Sequence, residues 1–147
     1  PEYLTSVEQA ETRSLMDYGV SLGRRFRALK LWFVLRAFGR DGIRARIRYH
    51  VEIARHFADL VEAEDGWEVT APVHLSLVTI RHVAGNEVTK RVMDRVNSSG
   101  ESFLTHTDLR GQTVIRLAIG NLKTTRDDVL HVWDLLREAA ALEVSAD

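Results

Sequence analysis

At 147 residues the chain is long enough for one compact domain and too short for two of ordinary size. A hydrophobic share of 45%, a charged share of 28% and a formal net charge of −1 describe a globular protein without an overall basic field for nucleic acid. The absence of cysteine excludes a disulfide scaffold, thiolate catalysis and cysteine-ligated metals.

No apolar run reaches the roughly 18–20 residues of a membrane span, and the N-terminus has no basic-then-apolar signal pattern. The expectation is a soluble, cytoplasmic chain with neither membrane nor nucleic acid as partner. Its first residue is Pro1 rather than Met, which suits a piece of a longer polypeptide.

Residues 1–17 are polar and weakly periodic, and we expect a mobile arm there. Charge then changes sharply. From Tyr18 to Arg48 nine basic residues face one acid, Asp41, so this stretch carries +8 and the remainder −9. Arg24 to Phe38 is predicted to be a helix. Its apolar residues Phe26, Leu29, Leu31, Trp32, Phe33, Val34 and Leu35 occupy more than one side, so it needs two covering layers. Gly39 and Gly42 mark a break. A second helix, from about Ile43 to Glu64, places Ile43, Ile47, Val51, Ala54, Phe57 and Val61 at steps of three or four.

The period then shifts to two. Trp67, Val69 and Ala71 alternate before Pro72, and residues 73–82 are predicted to be a strand. Asn86 is expected to cap a helix with Val88, Val92, Met93 and Val96 on one side, closing at Asn97–Gly100. Strands at about 102–107 and 112–119 follow, joined by a hairpin-like turn at residues 108–111. A last helix begins near Thr124 or Thr125, with Asp127 and Asp128 in its favoured first turn and Val129, Val132, Trp133 and Leu136 inward. This order indicates an α+β fold: a small, four-stranded, mostly antiparallel sheet with helices on one face, preceded by two helices.

The chemistry-bearing residues are sparse. The six histidines form no HExxH pattern, and His74 and His82, eight apart on one predicted strand, are too distant for one ion. No metal site is expected. Glycine-rich phosphate loops and a Gly-x-Ser-x-Gly elbow are absent. Leu22-Gly23-Arg24-Arg25 does put a glycine directly before a helix start, where backbone approaches a ligand closely and free N–H groups favour phosphate. Arg116 sits in the otherwise apolar strand Val114–Ile119, so its charge needs a partner or a cleft. A structural ion pair and a substrate carboxylate both satisfy that requirement.

The run from Leu22 to Phe33, LGRRFRALKLWF, resembles the pyridoxal-phosphate-dependent aromatic-L-amino-acid decarboxylases, the group containing dopa, tryptophan and tyrosine decarboxylases. The likeness continues through the long helix, Thr105-His106-Thr107, Val114–Ile119 and the closing Val132-Trp133 helix. It implies the C-terminal domain of a fold-type I enzyme of this kind: residues 1–17 a remnant of a mobile catalytic loop, residues 18–147 the domain itself. It also implies a homodimeric parent, a carboxy-lyase that converts an aromatic L-amino acid to its amine and carbon dioxide.

In that family pyridoxal 5′-phosphate is bound mainly by an upstream domain, with the Schiff-base lysine in a His-Lys pair. Here the lysines are Lys30, Lys90 and Lys123, and none follows a histidine. The chain alone is therefore expected to be inactive, its task being to complete the active site at the dimer interface. Pro1-Glu2-Tyr3-Leu4 resembles the family's Pro-x-Tyr-Leu, which makes Tyr3 the proton donor to the carbon that loses carbon dioxide. Leu22 and Gly23 match positions lining the substrate and phosphate region, a glycine there accompanying indole-type substrates. Arg116 matches an arginine widespread in related decarboxylases, with carboxylate recognition or domain anchoring as its role. Tyr18-Gly19-Val20-Ser21 departs from the family's more aromatic approach to this block. Outside the resemblance, a free-standing binding or oligomerisation module and a basic-helix nucleic-acid binder remain as rivals.

Overall fold

A computed structural model describes residues 25–144. Two compact units divide at Ile47–Arg48. The first helix, α1 (Arg27–Ala63), runs across that division. Its expected break falls at Gly39, whose φ of 63° and ψ of 175° are non-helical, whereas Gly42 stays in the helix. The two predicted helices are thus one element interrupted at a residue with no Cβ to oppose a positive φ.

In the first unit Phe26, Leu31, Trp32 and Phe33 are exposed, Trp32 at 54% and Phe33 at 57%. Arg36 lies 5.8 Å from the Trp32 ring centroid, and Trp32 meets Phe33 edge-on at 5.3 Å. This apolar side, together with Leu29 and Leu35, lines a shallow groove of about 480 Å³.

The second unit carries the remaining elements: β1 (Trp67–Val69), β2 (Leu77–His82), α2 (Asn86–Ser99), β3 (Thr105–Leu109), β4 (Gln112–Ala118) and α3 (Arg126–Val144). The sheet order is β1-β2-β4-β3 and every pair is antiparallel. Val78 is paired with Leu117 and Ile80 with Ile115, and all four face the helices. There they share one core with Ile53 and Phe57 of α1, Val92 and Val96 of α2, and Trp133 and Leu136 of α3. The apolar stripe of α1 is buried only from His50 onward; Ile47 is exposed. Aromatic rings tie three elements edge-on: Phe57 to Trp133 at 5.6 Å, Trp133 to Trp67 at 5.4 Å, and Trp67 to His82 at 5.2 Å.

Three boundaries differ from expectation, each for a local reason. The strand predicted for 73–82 begins only at Leu77, after Pro72 has removed a donor from the preceding segment. The strand predicted for 102–107 lies at Thr105–Leu109, because Asn97 clamps the Leu104 backbone, its Oδ1 accepting from Leu104 N–H at 2.7 Å and its Nδ2 donating to the Leu104 carbonyl at 2.9 Å. The cap of α2 is Gly85, with no side-chain cap bond, rather than Asn86. The Asn86 side chain instead ties α2 to the hairpin, donating to the Gly111 carbonyl and accepting from Thr113 N–H, both at 3.0 Å.

The hairpin turn itself is Arg110-Gly111, with φ of 56° and 79°, as a two-residue type I′ turn requires. Thr125 and Asp128 cap α3 reciprocally: Thr125 N–H donates to Asp128 Oδ2 at 2.8 Å, and Asp128 N–H donates to Thr125 Oγ1 at 3.2 Å. These bonds from Thr125, helped by nearby His131, hold the Asp128 carboxyl below its ordinary range. At the far end of α3, Arg95 and Arg91 on α2 do the same for Glu143, the buried acid that joins the two helices.

Candidate functional site

Strand alternation places Arg116 on the sheet face away from the helices, since its neighbours Ile115 and Leu117 point into the core. Register sets Thr79 on one side of it and Thr105 on the other. Thr79 is in turn fixed by Thr70, whose Oγ1 donates to the Thr79 hydroxyl at 2.9 Å. Arg116 is half-buried, its stem standing between two β-branched side chains. One step along the same face, Arg81 forms an ion pair with Glu68 across β1 and β2, with the Arg81 side chain only 17% exposed. The sequence reading passed over Arg81. Its signal was available: an arginine alternating with Ile80 and His82 in an apolar strand, as Arg116 alternates with Ile115 and Leu117.

Arg116 opens onto a cavity of about 550 Å³ at one end of the sheet. Phe103, Thr105, Asp128, His131 and Val132 share its lining. The segment bearing Phe103 is held on both sides, by the Asn97 clamp after it and by Glu101, whose Oε2 lies 2.8 Å from His131 Nε2. The cavity lining mixes the Arg116 guanidinium and threonine hydroxyls with the carboxylates of Glu101 and Asp128 and with apolar walls. Arg116 thus borders a cavity, and it also has an interaction of its own.

Tyr3, Leu22 and Gly23 lie outside the described residues. The histidines do not converge: His82 is buried, with its Nδ1 accepting from Ala84 N–H at 3.2 Å, while His74 and His131 are exposed. Among the described residues no three His, Asp or Glu side chains come together as a metal site would need. Lys30, Lys90 and Lys123 are all exposed, on α1, on α2 and in the loop before α3. None stands in an enclosed pocket where a carbonyl cofactor is condensed and shielded from water, so the described residues do not by themselves fit pyridoxal phosphate.

The pyridoxal-dependent decarboxylase conserved domain matches residues 1–83. The chain belongs to the pyridoxal-dependent decarboxylase family. It is 36% identical over 145 residues to human histidine decarboxylase, covering 99% of this chain and 22% of that protein. Tryptophan decarboxylase 2 of Oryza sativa subsp. japonica is 40% identical over 150 residues, covering 95% of this chain and 30% of that one. Among solved structures, the TDC of Oryza sativa crystallised with PLP and tryptamine superposes with a TM-score of 0.76 at 34% identity, over 96% of this chain and 31% of its own. The α+β fold expected from the sequence is thus the fold of these decarboxylases. The chain spans less than a third of the length of these relatives.

Proposed function

We propose that this chain is the C-terminal part of a cytoplasmic, homodimeric carboxy-lyase that converts an aromatic L-amino acid to its amine and carbon dioxide. The observation that carries the proposal is the match of nearly the whole chain to decarboxylases of tryptophan and histidine at 36–40% identity. Pyridoxal 5′-phosphate is the cofactor, held by polypeptide upstream of these residues; when bound it accepts the electrons of the bond that loses carbon dioxide. On this reading residues 1–17 are a remnant of the mobile catalytic loop and residues 18–147 are the C-terminal domain.

Within this reading each residue has a task that its chemistry suits. Tyr3 donates a proton to the substrate carbon once carbon dioxide has left. Leu22 lines the substrate and Gly23 binds the cofactor, a glycine there suiting indole-type substrates. Arg116, between its two threonines, recognises a carboxylate, which the cavity beside it has space to receive. Among the described residues no helix is long and apolar enough to cross a membrane.

A phenylacetaldehyde synthase of Arabidopsis thaliana is also 36% identical to this chain, which raises aldehyde formation as a second outcome of the same chemistry. The proton donor separates the two. The test is the full-length gene product supplied with pyridoxal phosphate and, in turn, L-tryptophan, L-tyrosine and L-histidine. Amine and carbon dioxide in equal amounts are expected from at least one, and Tyr3→Phe is expected to divert turnover to oxidised product. No amine from any of the three refutes the proposal, and an unchanged amine yield in Tyr3→Phe refutes the role of Tyr3.

A further inference from the structure

The C-terminal turns of α1 and the segment that returns from them enclose a second cavity, of about 400 Å³, at the β1 edge of the sheet. It shares no residue with the cavity beside Arg116. One wall is the chain that follows the reversal at Gly66, where φ is 88°. That wall is held by the sheet: Trp67 is buried in the core, and Thr70 N–H donates to the Thr79 carbonyl at 2.9 Å. Pro72 stiffens it further by fixing its own φ.

On the opposite wall Arg55, Asp59 and Glu62 stand at steps of four and three along one side of α1. Among the described residues none of these three has an ion pair or a side-chain hydrogen bond, although Glu64 close by is paired with Arg137 of α3 at 3.5 Å. Val69, Pro72 and Val73 supply the apolar part of the lining.

One cation and two anions beside an apolar wall set the chemistry of a ligand. A guanidinium takes a carboxylate in a bidentate pair, and an ammonium carries three N–H donors, enough to serve two carboxylates. A divalent cation meets the like charge of Arg55, and a simple carboxylic acid meets those of Asp59 and Glu62. We propose that this cleft binds the zwitterion of a free α-amino acid with an apolar side chain. Its carboxylate goes to Arg55, its ammonium to Asp59 and Glu62, and its side chain against Val69, Pro72 and Val73. The volume lies in the range of about 300–1,000 Å³ usual for small-molecule sites. On the decarboxylase reading above, on which this last step alone rests, the site holds substrate and releases product, because the amine has lost the group that Arg55 takes.

The test uses the full-length protein, loaded with pyridoxal phosphate and reduced with borohydride so that no turnover occurs. Titration calorimetry compares L-phenylalanine with phenethylamine, the same molecule without its carboxylate. Phenylalanine is expected to bind about tenfold or more tightly, and Arg55→Ala to abolish that preference. Asp59→Asn is expected to weaken both ligands. Each substitution replaces an exposed side chain that has no partner among the described residues, so neither disturbs the fold.

Equal affinity for the two ligands in the parent overturns the proposal, as does a preference for phenylalanine that persists in Arg55→Ala. Either result, with the unreduced protein still forming amine, leaves the decarboxylase reading intact. A preference that depends on Arg55, in a protein that forms no amine, upholds the site and refutes that reading instead.

Discussion

Phe57 is the position at which the helical layer is joined to itself. Its side chain is fully buried on α1 and meets Trp133 of α3 edge-on, with interplanar angle 89°. Trp133 continues to Trp67 and Trp67 to His82, so the ring contact is the first link of a chain from helix to sheet. Phe57→Ala removes the buried ring and leaves a void against Trp133, at a cost of about 3–5 kcal/mol, which includes about 0.5–1.5 kcal/mol for the lost edge-to-face contact. Against a typical total stability of about 5–15 kcal/mol, this brings the unit close to unfolding.

Phe57→Leu keeps most of the volume and loses only the ring geometry, for a cost below about 1.5 kcal/mol. Hydrogen exchange of the β2, β4 and α3 amides in the full-length protein reads this unit directly. Protection in Phe57→Ala is expected to fall by about two to four powers of ten, and in Phe57→Leu by about one or less. A fall of less than tenfold in Phe57→Ala refutes the reasoning, since the ring chain would then not be what couples α1 to the sheet.

Other perturbations follow from single contacts. Gly66→Ala places a Cβ 3.0 Å from His82 Nε2 at a φ of +88°, and is expected to cost about 1–3 kcal/mol in urea unfolding, against no change for Gly120→Ala, where nothing lies within 4 Å. Burial holds the His82 pKa below its ordinary 6.5, and its Nδ1 accepts from Ala84 N–H, which requires that nitrogen to be unprotonated. Protons therefore bind the unfolded chain more readily, so this contribution is intact above pH 6.5 and is lost as pH falls from there through the folded-state value. A His82→Gln variant whose pH-stability slope over that window equals the parent's rules this out. In the full-length enzyme Arg116→Ala is expected to lower kcat/KM by about 10- to 100-fold with partial recovery in Arg116→Lys, and an unchanged value removes Arg116 from the site.

The fold was legible where one local signal decided the outcome. The steps of Val88, Val92 and Val96 on α2 point to one buried side, and the core holds all three. Asp108–Gly111 was readable as a hairpin because Gly111 and its neighbour must both take positive φ. What failed were side chains with two competing uses. Asn86 is a good cap by type, yet its amide reaches the hairpin 25 residues away, and nothing local announces that. The strand edge at Leu104 is likewise set by Asn97, seven residues earlier, through a clamp that periodicity cannot express.

The site divides along the same line. A guanidinium in an apolar strand announces that it needs a partner or a cleft, and Arg116 has an interaction of its own and lines a cavity at one end of the sheet. What the sequence could not rank was whether that cleft serves a ligand or a neighbouring domain, because the threonines that flank Arg116 come from β2 and β3 and are brought there only by register. The same register puts the apolar Leu77–Ala118 pair directly beside the Arg116 row. Register thus decides what borders Arg116 on its own face, and alternation within one strand cannot show it.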